Sequence, residues 1–400
     1  MPGQPSQPTD CVADRFSAFG TTIFAEMTRL AIEHDAINLS QGFPDFDGPG
    51  WIKDAAIRAI RDGHNQYPPT GGTPELAQAI AGAWRVQTGF NIDPAREVTV
   101  TSGCTEALAA AFLGLVNPGD EVVLFEPFYD SYRACAAMAG GVARFVQLRA
   151  SEDSGVFRFD ANELREVFNE RTKVVLLNTP HNPTGKVFTR EEMTLIARLC
   201  VEHDVIAVTD EVYEHLVFDG PHIRLATLPG MAERTLTLSS LGKTFSLTGW
   251  KVGWAIGSAE LTRAVRAAHQ FLTFTTATPL QHAAAAAIRD PGDSITRLLE
   301  HYRQARDFLC AALSDLGFRV YLPAGTYFIM ADHTGVSGPL GIADDAQFCR
   351  YLTTEIGVAA IPPGSFYSNP ADGERFVRFA FCKRRETLEA AVERLQKLRR

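Results

Sequence analysis

Two lysines eight residues apart lie in a run of small and apolar residues, Leu-Thr-Leu-Ser-Ser-Leu-Gly-Lys-Thr-Phe-Ser-Leu-Thr-Gly-Trp-Lys, from Leu236 to Lys251. Alternation at Leu236 and Leu238 predicts a short strand. It ends where Ser239, Ser240 and Gly242 let hydroxyl and backbone groups approach a small anion. A lysine flanked by apolar and small groups, as Lys243 is, loses hydration, and its ammonium form is disfavoured. The neutral amine attacks carbonyls and forms an imine. A solvated loop lysine is the plainer reading of any single lysine, so the other chemistry-bearing residues decide.

Asp210 follows the apolar strand expected at 205–208, where a carboxylate either caps a helix or stays buried beside a cation. Asn178-Thr179-Pro180-His181-Asn182-Pro183-Thr184-Gly185 is a rigid turn, with two X-Pro bonds that permit a cis peptide. Ser102-Gly103-Cys104-Thr105 joins a strand at 97–101 to a helix expected over 106–116. Such a junction aims N–H groups and the positive helix end at an anion. Arg378 stands between Val377 and Phe379 in an alternating strand. A guanidinium there either faces solvent from an edge or is buried with a partner.

Taken together, these residues resemble the class I, fold-type-I aminotransferases that use pyridoxal phosphate, and within them the kynurenine and methionine aminotransferases. N-succinyldiaminopimelate aminotransferases are also similar. The resemblance implies that Lys243 carries the cofactor as a Schiff base, the internal aldimine. It implies that Ser240 and Lys251 hold its phosphate with Gly103, Cys104 and Thr105; most relatives carry arginine where Lys251 stands. Glu106 stands where relatives usually have glycine, and an acid there repels a phosphate unless its side chain turns away.

The same resemblance assigns Asp210 to the pyridine nitrogen, Asn182 and Tyr213 to the ring oxygen, and Tyr129 to the ring face. Gly42, Asn182 and Arg378 would meet the substrate carboxylate. Phe24, Phe274 and Phe366 would line the side-chain pocket, Phe274 being contributed by the partner subunit. Tyr67 would reach the partner's cofactor phosphate, which makes a homodimer with shared active sites the expected unit.

Positioning these residues requires several turns at one edge of one sheet. Strand-then-helix spacing from about residue 95 to 260 predicts an α/β fold with a mostly parallel sheet covered by helices on both faces. Ligands of such sheets sit beyond the carboxyl ends of the strands, where the turns at Gly103, Tyr129, Asn182, Asp210 and Ser240 fall. Helical spacing begins near Phe24. An amphipathic helix is expected at 295–316, and strands at 326–330, 358–362 and 376–381 belong to a smaller α+β domain. The expected division is a large domain at 46–295, a small domain of 16–45 with 296–400, and a flexible tail at 1–15.

A formal charge of −9 gives no basic footprint, which argues against nucleic acid as a partner. No stretch approaches the ~18 apolar residues of a membrane span. Seven scattered cysteines without a C-x-x-C pair favour free thiols in a reducing, cytoplasmic setting and no structural metal. The expected activity is ping-pong transfer of an amino group from an L-amino acid of the methionine, aromatic, kynurenine or glutamine type to a 2-oxo acid. An N-succinyldiaminopimelate aminotransferase is an alternative, as is a pyridoxal-phosphate-dependent β-lyase acting on cystathionine or cysteine S-conjugates.

Overall fold

The computed structural model describes residues 12–17, 19–20, 22–152 and 155–399. The expected N-terminal tail lies for the most part outside the described residues, as does Cys11. Seven strands form the principal sheet: β1 (Val98–Thr101), β2 (Glu121–Glu126), β3 (Val142–Gln147), β4 (Thr172–Asn178), β5 (Ile206–Asp210), β6 (Thr235–Ser240) and β7 (Gly253–Ile256). Their spatial order is β1-β7-β6-β5-β4-β2-β3. All neighbours run parallel except β7, which is antiparallel to both β1 and β6.

The central strands β2, β4 and β5 are largely apolar because both of their faces are covered. Along β2, Val122 and Leu124 enter one core with Ala107, Leu108, Tyr132 and Val265, while Val123 and Phe125 enter another with Met193, Ile196 and Leu199. Side chains alternate across a strand, so a run such as Val-Val-Leu-Phe feeds two cores at once. Register then aligns the strand ends: Asn178 of β4 lies opposite Asp210 of β5, and Asp210 opposite Leu238 of β6.

A second, antiparallel sheet comprises β8 (Arg319–Tyr321), β9 (Phe328–Asp332) and β10 (Phe376–Ala380), with β9 in the middle. It packs with the helices Ser294–Asp315 and Arg385–Leu395 around Tyr302, Leu309, Phe379 and Leu388. Met27, from the helix Ile23–Glu33, joins the same core. The chain start is tied in further by Ile37–Asn38, which pairs in parallel with Val358–Ala359.

Several expected boundaries shift. The strand at 326–330 begins at Phe328 because Thr326 adopts a left-handed φ of 66°. At 358–362 only Val358–Ala359 is a strand, with a single bridge from Ile361 to Arg378. The helix expected from residue 106 starts at Gly103, where Glu106 reaches back and accepts from the Ser102 N–H at 3.0 Å. β3 and β7 are additional strands that the strand-then-helix pattern did not single out.

The helices Gly103–Leu115 and Ala259–Leu272 touch backbone to backbone at Gly114, where an added Cβ would lie 2.2 Å from the Ala264 carbonyl oxygen. Gly114→Ala must push the two helices apart. It should cost about 1–3 kcal/mol of stability, as overpacked sites do, read as a lower urea midpoint at unchanged m-value.

Candidate active site

A cavity of about 450 Å³ lies beyond the carboxyl ends of β1, β2, β4, β5 and β6, and Gly103, Tyr129, Asn182, Asp210 and Ser240 all line it. Arg378 of β10 and the Gly42 loop close it from the other side. The position follows from topology: parallel strands end together, and their loops start at one level.

Asp210 ends β5 with 5 % of its surface exposed. Tyr132 donates to its Oδ2 at 2.8 Å, and the Val212 N–H to its Oδ1 at 3.3 Å. Burial drives its pKa above the ordinary carboxylate range; the bonds from Tyr132, Val212 and Cys104 and the charge of Lys243 pull it partly back. Backbone bonds brace it too, since Asn178 Nδ2 and the Thr179 N–H both donate to its carbonyl. Tyr132 escaped the sequence reading because a tyrosine inside an apolar helix reads as core.

Lys243 sits in the short helix Leu241–Thr244, directly after Ser240. Its Nζ lies 3.3 Å from the Gly42 carbonyl oxygen and 5.8 and 5.5 Å from the ring centres of Tyr213 and Tyr327. The Tyr327 hydroxyl donates to the same carbonyl at 2.6 Å. Loss of hydration lowers the lysine pKa to about 8, with the charges of Lys251 and Arg378 adding to the effect. An amine in this setting holds a far larger neutral fraction near physiological pH than an ordinary lysine does.

Lys251 adopts a left-handed φ of 54°, which turns its side chain onto the start of the helix Gly103–Leu115. An added Cβ on Gly103, itself at φ 77°, would lie 3.3 Å from Lys251 Nζ. The ammonium and the first N–H groups of that helix therefore face one small space beside Ser240, a cradle suited to a phosphate. Glu106 is turned away from it: its other oxygen pairs with His269 Nδ1 at 2.9 Å, and His269 Nε2 is 2.9 Å from the Thr70 carbonyl.

Arg378 is 1 % exposed. Nη1 donates to Asn182 Oδ1 at 3.1 Å and Nη2 to the Ser40 carbonyl at 2.9 Å, while Nε has no partner among the described residues. No carboxylate pairs with it in that set. Phe328, Phe24 and Phe366 lie 4.2, 5.2 and 5.4 Å from the guanidinium, and burial brings its pKa down to about 10. The planar fork is built for a bidentate carboxylate, and here that position is left to a ligand.

The remaining expected residues divide. Cys104, Thr105 and Tyr213 line the cavity, as do Gly42 and Phe24, while Phe366 stacks on Phe24 at 5.7 Å from behind. Tyr67 and Phe274 are not in this chain's cavity. They meet edge to face at 5.5 Å on the surface, where Tyr67 is 84 % exposed. Among the described residues no cluster of His, Cys, Asp and Glu is arranged to hold a metal ion.

A carboxyl group for a ring nitrogen, a cation-and-helix cradle for a phosphate, an amine of lowered pKa for an aldehyde and a guanidinium without a carboxylate partner among the described residues thus surround one space. These residues fit pyridoxal phosphate. Comparison with known proteins agrees. The structure superposes on that of N-succinyldiaminopimelate aminotransferase from Mycobacterium tuberculosis with a TM-score of 0.93, at 46% identity, covering 97% of this chain and 100% of that one. Sequence identity is 41% with methionine aminotransferase of Escherichia coli, over 95% of this chain and 96% of that protein. It is 40% with kynurenine–oxoglutarate transaminase of Dictyostelium discoideum, over 96% and 95%. The family described as aminotransferase class I and II matches residues 34–395, and the chain belongs to that pyridoxal-phosphate-dependent, fold-type-I family of enzymes.

Proposed function

We propose that this aminotransferase takes its amino group from L-amino acids with large uncharged side chains, of the methionine, aromatic, kynurenine or glutamine type, and passes it to a 2-oxo acid. The observation that carries this reading is Arg378, a buried guanidinium with an unpartnered Nε, ringed by Phe24, Phe328 and Phe366. The α-carboxylate completes its bonds, and the rings form an apolar wall for the side chain.

In this reading the residues around the cavity divide the tasks among them. Pyridoxal phosphate, when bound, supplies a cationic heteroaromatic ring that withdraws electrons from the bond being broken. Asp210 holds the proton on the ring nitrogen, and Tyr132 orients Asp210. Asn182 and Tyr213 bind the ring oxygen, and Tyr129 covers one face of the ring. Lys251, Ser240 and the backbone at Gly103, Cys104 and Thr105 bind the phosphate. Lys243 anchors the cofactor covalently at rest. Once freed by an incoming amino acid, its amine would serve as the base that takes the proton from the substrate α-carbon and as the acid that gives it back. Two such half-reactions make a ping-pong cycle.

Asp130 refines the substrate class. Among the described residues, the cations lining the cavity are Lys243, Lys251 and Arg378, and each already has a task, whereas Asp130 adds a half-buried carboxyl near Arg378. A second acidic group on the substrate would find repulsion there rather than a counter-charge. The 46% identity with N-succinyldiaminopimelate aminotransferase favours a second reading, with that metabolite as donor.

We further propose a cytoplasmic homodimer. Exposed Phe271 (85 %) and Tyr67 beside the surface-lying Phe274 form an apolar face that supports an interface. The six described cysteines are free, and no described helix is long and apolar enough to cross a membrane. The division into a domain of 46–295 and one of 16–45 with 296–400 is likewise proposed, on the support of the pairing of Ile37–Asn38 with Val358–Ala359.

Lys243→Ala should abolish both the visible absorbance of the cofactor-loaded protein and turnover; persistence of either refutes the assignment. Because the folded pKa of Lys243 is depressed to about 8, cofactor uptake by stripped protein should accelerate as pH rises and level off above that value. A rate still climbing at pH ~10 would indicate an ordinary lysine. In a panel of donors methionine should outperform aspartate. Asp130→Asn should raise kcat/KM for glutamate and N-succinyldiaminopimelate roughly fivefold to tenfold, by removing a like charge, and leave methionine within about twofold.

A further inference from the structure

Behind the residues that line the cavity lies a second layer of charge. Arg224, 8 % exposed, precedes the short turn Leu225–Thr227. Its Nη1 donates to Glu211 Oε2 at 2.5 Å, and its Nη2 bonds both Glu214 Oε2 and Gln87 Oε1. Glu211, fully buried, also accepts from Thr209 Oγ1 at 2.9 Å and pairs with His222 Nε2 at 2.7 Å. Glu214 accepts from Ser239 Oγ at 2.7 Å.

Both carboxylates that Arg224 reaches are chain neighbours of residues at the cofactor cradle. Glu211 adjoins Asp210, Glu214 adjoins Tyr213, and Ser239, reached through Glu214, adjoins Ser240. Successive strand residues point to opposite faces, so Ser240 lines the cavity while Ser239 meets the charged layer. We propose that Arg224 is a positioning residue for the cofactor: by gripping Glu211 and Glu214 it holds the 210–214 turn against the end of β6, and so sets where Asp210, Tyr213 and Ser240 stand.

Two features make the grip decisive. Glu211 and Glu214 are carboxylates three residues apart, and Arg224 is the cation that bonds both. Burial alone would push Glu211 up, but Arg224 and His222 hold it below the usual carboxylate range. Without the arginine the two acids must either take up protons or move apart. There is room to move: a cavity of about 540 Å³, on the side of this layer away from the cofactor, is lined by Glu214, Arg224, Ser239 and Thr244. Packing holds Val212 and Tyr213 on the core side of the turn, and the ion network holds Glu211 and Glu214 on the other. The guanidinium is itself held from the outside by Gln87 and by the ring of Trp84, 5.2 Å away, both on the helix Pro74–Thr88. A lysine has no fork with which to bridge two acids.

The inference rests on pyridoxal phosphate occupying the site described above, and it is tested in the full-length holoenzyme with Arg224→Met. The expected result is weaker binding of pyridoxal phosphate by roughly tenfold or more, as when an outer support of a bound group is removed. The pH midpoint of the visible band should shift as well, with little change in KM for methionine because Arg378 is untouched. Adding Glu211→Gln and Glu214→Gln, which removes the repulsion, should restore most of the affinity. A variant that unfolds at lower temperature when stripped of cofactor, yet keeps wild-type affinity and pH midpoint, would make Arg224 merely structural and overturn the proposal. Should Arg224→Met not fold, Arg224→Lys serves instead: a measurable loss of affinity supports the role, and wild-type affinity with an unshifted midpoint overturns it. Wild-type protein that binds no pyridoxal phosphate at all would overturn both this inference and the reading beneath it.

Discussion

Two buried charges of opposite sign, Asp210 and Arg378, face one cavity, and neither forms a salt bridge among the described residues. Burial shifts each toward its neutral form, the acid upward and the guanidinium down to about 10. A protein interior tolerates such groups only when something else satisfies them. In the proposed reading a cationic ring nitrogen would stand beside Asp210 and an anionic carboxylate at Arg378, each meeting a buried charge. Lys243 lies in the same cavity with its amine partly neutralised, so covalent capture, proton transfer and substrate orientation are all referred to one small volume.

Geometry of this kind requires an assembly that resists closing up around the charges. Parallel strands deliver it, because Asn178, Asp210 and Ser240 end adjacent strands whose register is pinned by apolar cores on both faces. Close approach around the cradle also requires glycine: a Cβ at Gly103 would crowd Lys251, and one at Gly253 would meet the Gly103 backbone at 2.5 Å. Arg378 arrives from a different sheet altogether. That explains why the 210–214 turn packs in the same core as β9 and β10, since the acid and the guanidinium must be held at a fixed separation across two packed units.

How much of this was legible in the sequence follows from the range over which each signal acts. Strand ends marked by turn residues were readable, because apolar runs and their breaks are local, and Gly103, Tyr129, Asn182, Asp210 and Ser240 do share one cavity. Tyr132 was not, because its use depends on a hydrogen bond across 78 residues of chain. Glu106 posed a local conflict with a phosphate that only the distant His269 resolves. The antiparallel strand β7 is four residues long and follows Lys251 at once, too short for periodicity to register. Tyr67 and Phe274 carry no signal of their position at all, since both lie on the surface of their own chain.

These buried charges also bear on folding. Desolvating Asp210, Lys243 and Arg378 costs free energy in the cofactor-free protein, and that cost falls on the strand ends and the small-domain sheet together. A ligand set that neutralises the charges binds only the folded arrangement, so it adds to stability by mass action. The same interactions that orient substrate and cofactor therefore couple the two sheets. Removing one buried charge would relieve strain in the empty protein while loosening the loaded one. Sites whose chemistry depends on unpaired buried charge are held in place by the surrounding cores, and the ligand then supplies what those cores leave unsatisfied.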